Sequence, residues 1–201
     1  MNKKPIYIIE HLEPELFEWC LIEYEHISGL VGKENIWFAN IKAEEDRKKL
    51  EQLGRVFSES AKKLDLNWAR VCVLDPEAEK TLKPEDSGKF DYYIFGGILG
   101  DHPPKKRTKK ELTKLVPAGC EARNIGKKQM STDNAVYTTV QIAEKQKKFD
   151  ELKFKDEISI DINDVESVEL PYRYNLITKD GKEEVFMSPK IIEYLKKKQG
   201  F

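Results

Sequence analysis

The stretch Tyr92–Thr108, YYIFGGILGDHPPKKRT, gathers an apolar run, three glycines, an acid, a histidine and two prolines into one short segment. Gly96, Gly97 and Gly100 carry no Cβ, so backbone there can turn sharply and approach a ligand closely. Asp101 and His102 lie in the same turn and have the chemistry to hold or relay a proton. A second reactive feature stands near the start. Between Pro5 and Gly32 there is no lysine or arginine, yet Glu10, Glu13, Glu15, Glu18, Glu23 and Glu25 are all acids. Such a face repels phosphate and attracts a cationic substrate, although the same pattern also suits a solvated helix surface.

Several other chemistries lack their motifs. Neither glycine cluster runs into Gly-Lys-Ser/Thr, and no GxGxxG follows the first strand, which weighs against phosphate and dinucleotide folds. His11, His26 and His102 lie on separate segments without HxxxH or HExxH spacing, so no metal site is expected. Cys20, Cys72 and Cys120 are far apart, odd in number and without a CxxC pair. That pattern suits a reducing, cytoplasmic compartment better than a disulfide framework. Lys+Arg (35) and Asp+Glu (36) nearly cancel over the 201 residues, so bulk charge selects no partner. No apolar run reaches membrane-spanning length.

The reactive residues need elements to position them. Residues 5–9, 35–40, 69–75, 90–97 and 120–125 are short β-branched or aromatic runs, several apolar on both faces, and read as strands of a covered, mostly parallel sheet. Between them, residues 13–32 place Leu16, Trp19, Cys20, Tyr24 and Ile27 on one helical stripe, with Gly32 as its stop. Residues 42–66 read as a second charged helix with Gly54 inside it, and a third opens at Ser131–Asp133 and runs into lysines. The tail reads as short antiparallel strands turning at Asp180-Gly181, closed by a terminal helix. The expected organisation is an α/β core over 1–150 and a small C-terminal extension over 151–201 packed on it.

In an open α/β sheet, ligands bind beyond the carboxyl ends of the strands. Three loops occupy such ends: 74–79, 96–100 and 124–135. Together these loops resemble the cofactor loops of SPOUT methyltransferases, with NIGKKQMSTDNA (124–135) similar to their knot-loop pattern. YIIEHLEPELFEW, GGILGDHPPKKRT, QMSTDNAVYTT and LPYRY are further similar to the eukaryotic and archaeal SPOUT protein arginine methyltransferases that modify a small-subunit ribosomal protein. The resemblance implies a parallel sheet flanked by helices, a C-terminal trefoil knot and S-adenosylmethionine as cofactor. It also implies cofactor contacts from Leu74, Asp75, Pro76, Gly96, Gly97, Ile98, Gly100, Ile125, Gly126, Gln129, Met130 and Thr132. Valine at Gly97 or Gly126 is then expected to abolish cofactor binding and leave the fold intact. The implied acceptor is an arginine of a ribosomal protein. Glu10 and Asp101 are the carboxylates expected to orient its guanidinium, with His102 as a proton relay. The basic run Lys105–Lys110 suggests contact with ribosomal RNA. An RNA methyltransferase, or a cofactor-binding homologue without turnover, stands as the alternative. The LPYRY extension favours a monomer.

Overall fold

A computed structural model describes residues 4–100, 105–163 and 165–199. Its centre is a parallel six-stranded sheet of β1 (Ile6–His11), β2 (Ile36–Ala39), β3 (Arg55–Val56), β4 (Val71–Leu74), β5 (Tyr92–Gly97) and β6 (Glu121–Arg123), in the order β3-β2-β1-β5-β4-β6. Every residue of β1 and β4 is buried, which is why these runs lack polar alternation. On β1, Tyr7 and Ile9 face one core, which includes Cys20, Tyr24 and Ile27 of α1 (Glu18–Val31) and Val136 and Val140 of α3 (Thr132–Ala143). Ile6 and Ile8 face the other core, with Ala61, Leu66 and Leu112. Each such aliphatic side chain contributes about 1.5–3 kcal/mol when fully buried.

Helix α1 stops where expected. Gly32 adopts φ 90° and its N–H donates to Ser28 O at 2.9 Å. It starts later than the periodicity suggests, at Glu18, with residues 12–17 outside the helix. The helix predicted over 42–66 is a correction. Only α2 (Glu44–Leu50) is helical; β3 and a 3₁₀ turn at Ala61–Lys63 fill much of the rest. Gly54 supplies the reason. A Cβ there would stand 2.5 Å from Ile36 O and 2.7 Å from Ile36 Cγ2, so the chain leaves the helix pressed against β2. Helix α3 likewise ends at Ala143, ahead of the lysines at 145, 147 and 148.

The second sheet is antiparallel: β7 (Phe154–Asp161), β8 (Ser167–Lys179) and β9 (Lys182–Val185), the last two joined through Asp180 and Gly181 at φ 50° and 77°. Helix α4 (Pro189–Gln199) follows, placing Ile191 and Leu195 in a cluster with Ile22 and Trp19 of α1. A buried amide pair joins this sheet to α3. Asn175 N–H donates to Asn134 Oδ1 at 2.8 Å, and Asn134 Nδ2 donates to Phe186 O at 3.0 Å.

One connection has a special geometry. Asp75 N–H donates to Arg123 O at 2.9 Å on one edge of β6. On the opposite edge, Asn124 N–H donates to Lys80 O at 2.8 Å and Leu82 N–H donates to Asn124 O at 2.9 Å. Arg123 and Asn124 are therefore gripped on both sides by one loop, residues 74–82.

Candidate active site

Beyond the carboxyl ends of β4, β5 and β6, three loops converge on one cavity of about 440 Å³. Its apolar walls are Leu74, Phe95, Ile98, Ile125, Met130 and Ala135. Asp75, Pro76, Glu77, Gly96, Gly126, Lys127, Lys128, Gln129 and Thr132 complete the wall on these loops, and Lys105–Thr108 form a fourth side. Asp75 is buried and its carboxylate is held in place, accepting from Thr113 Oγ1 at 2.7 Å and Glu77 N at 2.8 Å.

The cavity depends on missing Cβ atoms. Added at Gly96, a Cβ would lie 3.0 Å from Ile98 Cδ1 and 3.4 Å from Thr108 Oγ1, both wall residues. Gly126 has φ 98°, and a Cβ there would meet Phe149 Cζ at 2.8 Å. The loop carrying Gly126 is also tied to the second sheet. Arg173 N–H donates to Gln129 O at 2.8 Å, while Lys128 and Arg173 both bind Asp156, at 2.6 Å each. These two cations hold the Asp156 carboxyl down to about 2.

The structure thus brings together ten of the twelve cofactor candidates: Leu74, Asp75, Pro76, Gly96, Ile98, Ile125, Gly126, Gln129, Met130 and Thr132. Gly97 and Gly100 stand elsewhere. A Cβ on Gly97 would meet Tyr24 Oη at 2.2 Å and Ile9 Cγ2 at 2.9 Å, so its glycine serves the packing of β5 against α1. The expectation that valine at Gly97 would spare the fold is corrected on that ground. Gly100 lies in a second cavity of about 230 Å³ with Trp19, Glu23, Leu99, Ser131, Leu170 and Tyr172. Ile98 and Met130 line both cavities.

Of the expected catalytic groups, Asp101 and His102 lie outside the described residues. Glu10 is buried at the end of β1, but it lines neither cavity. It accepts from Ser60 Oγ at 2.5 Å and from Ala61 N at 2.7 Å. Burial raises its pKa, against the pull of these two donors. Within the basic run, Lys106 binds Glu77, and Arg107 binds Glu13 at 2.6 Å, Glu111 at 2.9 Å and Leu12 O at 2.9 Å. Glu13 also accepts from Leu99 N–H at 3.0 Å, so this acid anchors the glycine turn.

Sequence reasoning passed over Glu23 as a site residue, although it named the residue within the acidic run. Glu23 is buried on α1, where its Oε1 accepts from Trp19 Nε1 at 2.8 Å and its Oε2 from Thr132 N at 3.2 Å. Burial first, and then the neighbouring Asp133, push its carboxyl up to about 8. The signal was its phase. Glu23 occupies the helical slot between Cys20 and Ile27, where the stripe calls for an apolar residue.

Comparison with known proteins agrees with this geometry. A family model described as "Protein arginine N-methyltransferase SFM1-like" matches residues 6–200. The protein arginine N-methyltransferase SFM1 of Saccharomyces cerevisiae is 41% identical over 189 residues, covering 88% of each chain. The crystal structure of the yeast arginine methyltransferase SFM1 complexed with SAM superposes with a TM-score of 0.84 at 38% identity, over 98% of this chain and 92% of that one. The dual-specific Trm10 of Thermococcus kodakaraensis shares the fold at a TM-score of 0.55 and 20% identity, over 73% of this chain and 96% of that one.

Proposed function

This chain belongs to the SFM1-like protein arginine N-methyltransferases, and from that membership we propose that it methylates an arginine of a ribosomal protein, using the 440 Å³ cavity for its cofactor. It is an S-adenosylmethionine-dependent methyltransferase of the SPOUT type. The observation that carries the site assignment is the convergence of three strand-end loops on a single apolar-walled cavity with glycine at its closest approaches.

The residues fit such a cofactor. Ile98, Ile125 and Met130 offer apolar surface to the adenosine, and Gly96 leaves space between Ile98 and Thr108 that a Cβ would fill, while Gly126 supplies the left-handed backbone its loop needs. When bound, the cofactor supplies a methyl group on a positively charged sulfur that is its own leaving group. The chain's task is therefore to position the acceptor and manage charge. Methylation leaves the guanidinium cationic and releases one proton, so a carboxylate close to the acceptor nitrogen favours the transfer.

The ribosomal acceptor is favoured by Glu15 and Glu18, the exposed acids of the N-terminal segment, which attract the basic surface of such proteins. Lys109 and Lys110 are exposed beside the cavity mouth and suit contact with ribosomal RNA next to the protein substrate. The second sheet, with α4, we assign as an extension that braces the Gly126 loop and lets the enzyme act as a monomer. The three unpaired thiols suit the cytoplasm, and among the described residues no helix is long and apolar enough to cross a membrane.

The test uses methyl-labelled S-adenosylmethionine and ribosomal fractions. Label recovered as methylarginine after hydrolysis of small-subunit protein is the expected result. Label recovered in RNA, or in no ribosomal protein, would overturn the ribosomal reading.

A further inference from the structure

We infer that the Glu13–Arg107 pair positions the methyl donor. It joins the turn after β5 to residues 105–108, and so holds two walls of the 440 Å³ cavity at a fixed separation. This inference rests on the reading of that cavity as the cofactor site, and it assigns the residues that set the cavity's shape.

Connectivity is the first argument. Glu13 lies between β1 and α1 and lines neither cavity. Its Oε1 nevertheless accepts from Leu99 N–H at 3.0 Å and from Arg107 Nη1 at 2.6 Å. Arg107 stands in the cavity wall, and Leu99 follows Ile98, which stands in it too. One carboxylate oxygen therefore ties two stretches of wall that no strand pairing joins among the described residues. The end of β1 completes the joint. Leu12 N–H donates to Gly97 O at 3.0 Å, and Leu12 O accepts from Arg107 Nη2 at 2.9 Å.

Need is the second argument. Gly96 and Gly97 offer no side chain to anchor their own turn, and glycine backbone is the most costly to order. Residues 105–108 belong to neither sheet and run into a π-helical turn, Thr108–Thr113. Side-chain bonds hold that segment to the 74–82 loop, from Lys106 to Glu77 at 2.8 Å and from Thr113 Oγ1 to Asp75 at 2.7 Å. Environment is the third argument. The Glu13 side chain is 10% exposed and that of Arg107 22%, so water competes little for this charge-assisted bond. Arg107 Nε also donates to Glu111 Oε1 at 2.9 Å, which fixes the plane of the guanidinium. Glu13 thus answers the protein's own cation rather than a substrate's. Transfer needs reacting atoms about 3–3.5 Å apart, and a ~1 Å misplacement can cost about a hundredfold in rate. The pair acts on that distance through the turn that carries Gly96 and Ile98.

The test compares Glu13→Ala, Glu13→Gln and Arg107→Leu by steady-state kinetics on an arginine-containing peptide, calorimetry with S-adenosylhomocysteine, and urea unfolding. Glu13→Ala should lower kcat about 10- to 100-fold and weaken S-adenosylhomocysteine at least about threefold, with peptide KM within about twofold of wild type. Glu13→Gln keeps an oxygen that accepts from both donors and should recover most of kcat. Arg107→Leu leaves the Leu99 bond in place. It should lower kcat about tenfold, and less than that when Glu13→Ala is already present, because the two act as one unit. The inference fails if folded Glu13→Ala or Arg107→Leu matches wild type in kcat and S-adenosylhomocysteine affinity. It fails equally if Glu13→Gln is as slow as Glu13→Ala, if the two single losses multiply in the double variant, or if peptide KM rises while kcat holds. Failure of the cavity reading is separate: it appears as Gly126→Val binding S-adenosylhomocysteine as wild type does.

Discussion

Glu10 and Glu23 are both glutamates of the acidic N-terminal segment, both are buried, and burial raises the pKa of each. They differ in what surrounds the carboxylate. Glu10 is the penultimate residue of β1, on the face covered by Ala61, and Ser60 and Ala61 cap its two oxygens within closed packing. Glu23 sits on α1, on the other side of the sheet, and opens into a cavity between that helix and β8. Burial and a shifted pKa are common to both, so what distinguishes them is that Glu23 lines an empty volume and Glu10 does not.

The comparison can be broken or sharpened by experiment. The largest expected effect is Glu23→Gln, which removes the acid lining the second cavity and should lower kcat/KM for arginine methylation by about 10²–10⁴-fold. Steady-state kinetics on a folded variant measures it, and near-wild-type turnover would place Glu23 alongside Glu10 as a structural acid. Next is Gly126→Val. A residue with a Cβ at φ 98°, pressed on Phe149, costs about 1–3 kcal/mol of strain in the cofactor loop. Calorimetry should show S-adenosylmethionine affinity falling about 5- to 150-fold, with the circular dichroism of the fold retained.

Glu10→Ala should act on stability instead. It leaves the buried Ala61 N–H without its acceptor, at a cost of about 1–3 kcal/mol in urea unfolding, while kcat stays unchanged in the folded fraction. A fall in kcat as large as that of Glu23→Gln would erase the distinction between the two acids. A pH effect follows from Glu23. Its folded pKa lies above the unfolded value, so folded protein holds a proton that the unfolded chain gives up. Stability from this group is full below the ordinary carboxylate range and is lost as pH rises to about 8. Glu23→Gln should flatten that decline in urea midpoints measured across this window. The smallest effect is expected of Asp156→Asn, since Asp156 is over a third exposed and ion pairs of that kind contribute roughly 0–1 kcal/mol. Its depressed pKa means the contribution is present above the ordinary Asp range and fades as pH falls towards about 2.

The strands of the parallel sheet were legible because β1, β4 and most of β5 are apolar on both faces, and the Asp180-Gly181 turn announced its hairpin. The three loops that wall the 440 Å³ cavity were legible from their position at strand ends, whereas their cofactor role came from the resemblance alone. Residues 42–66 misled because the reason for the break is not local: Gly54 is constrained by Ile36 on a neighbouring strand, which no helical periodicity reports. Gly97 misled similarly. Its glycine answers Tyr24, a contact between elements distant in sequence, although its neighbour Gly96 does face the cofactor cavity. Glu23 was hidden among six acids because composition treats them alike, whereas helical phase singles it out.

The grip of residues 74–82 on Arg123 and Asn124 reaches beyond the site it shapes. These bonds join positions about forty residues apart in the chain, so they belong to the non-local pairings that slow folding and close only after the far edge of the sheet has been assembled.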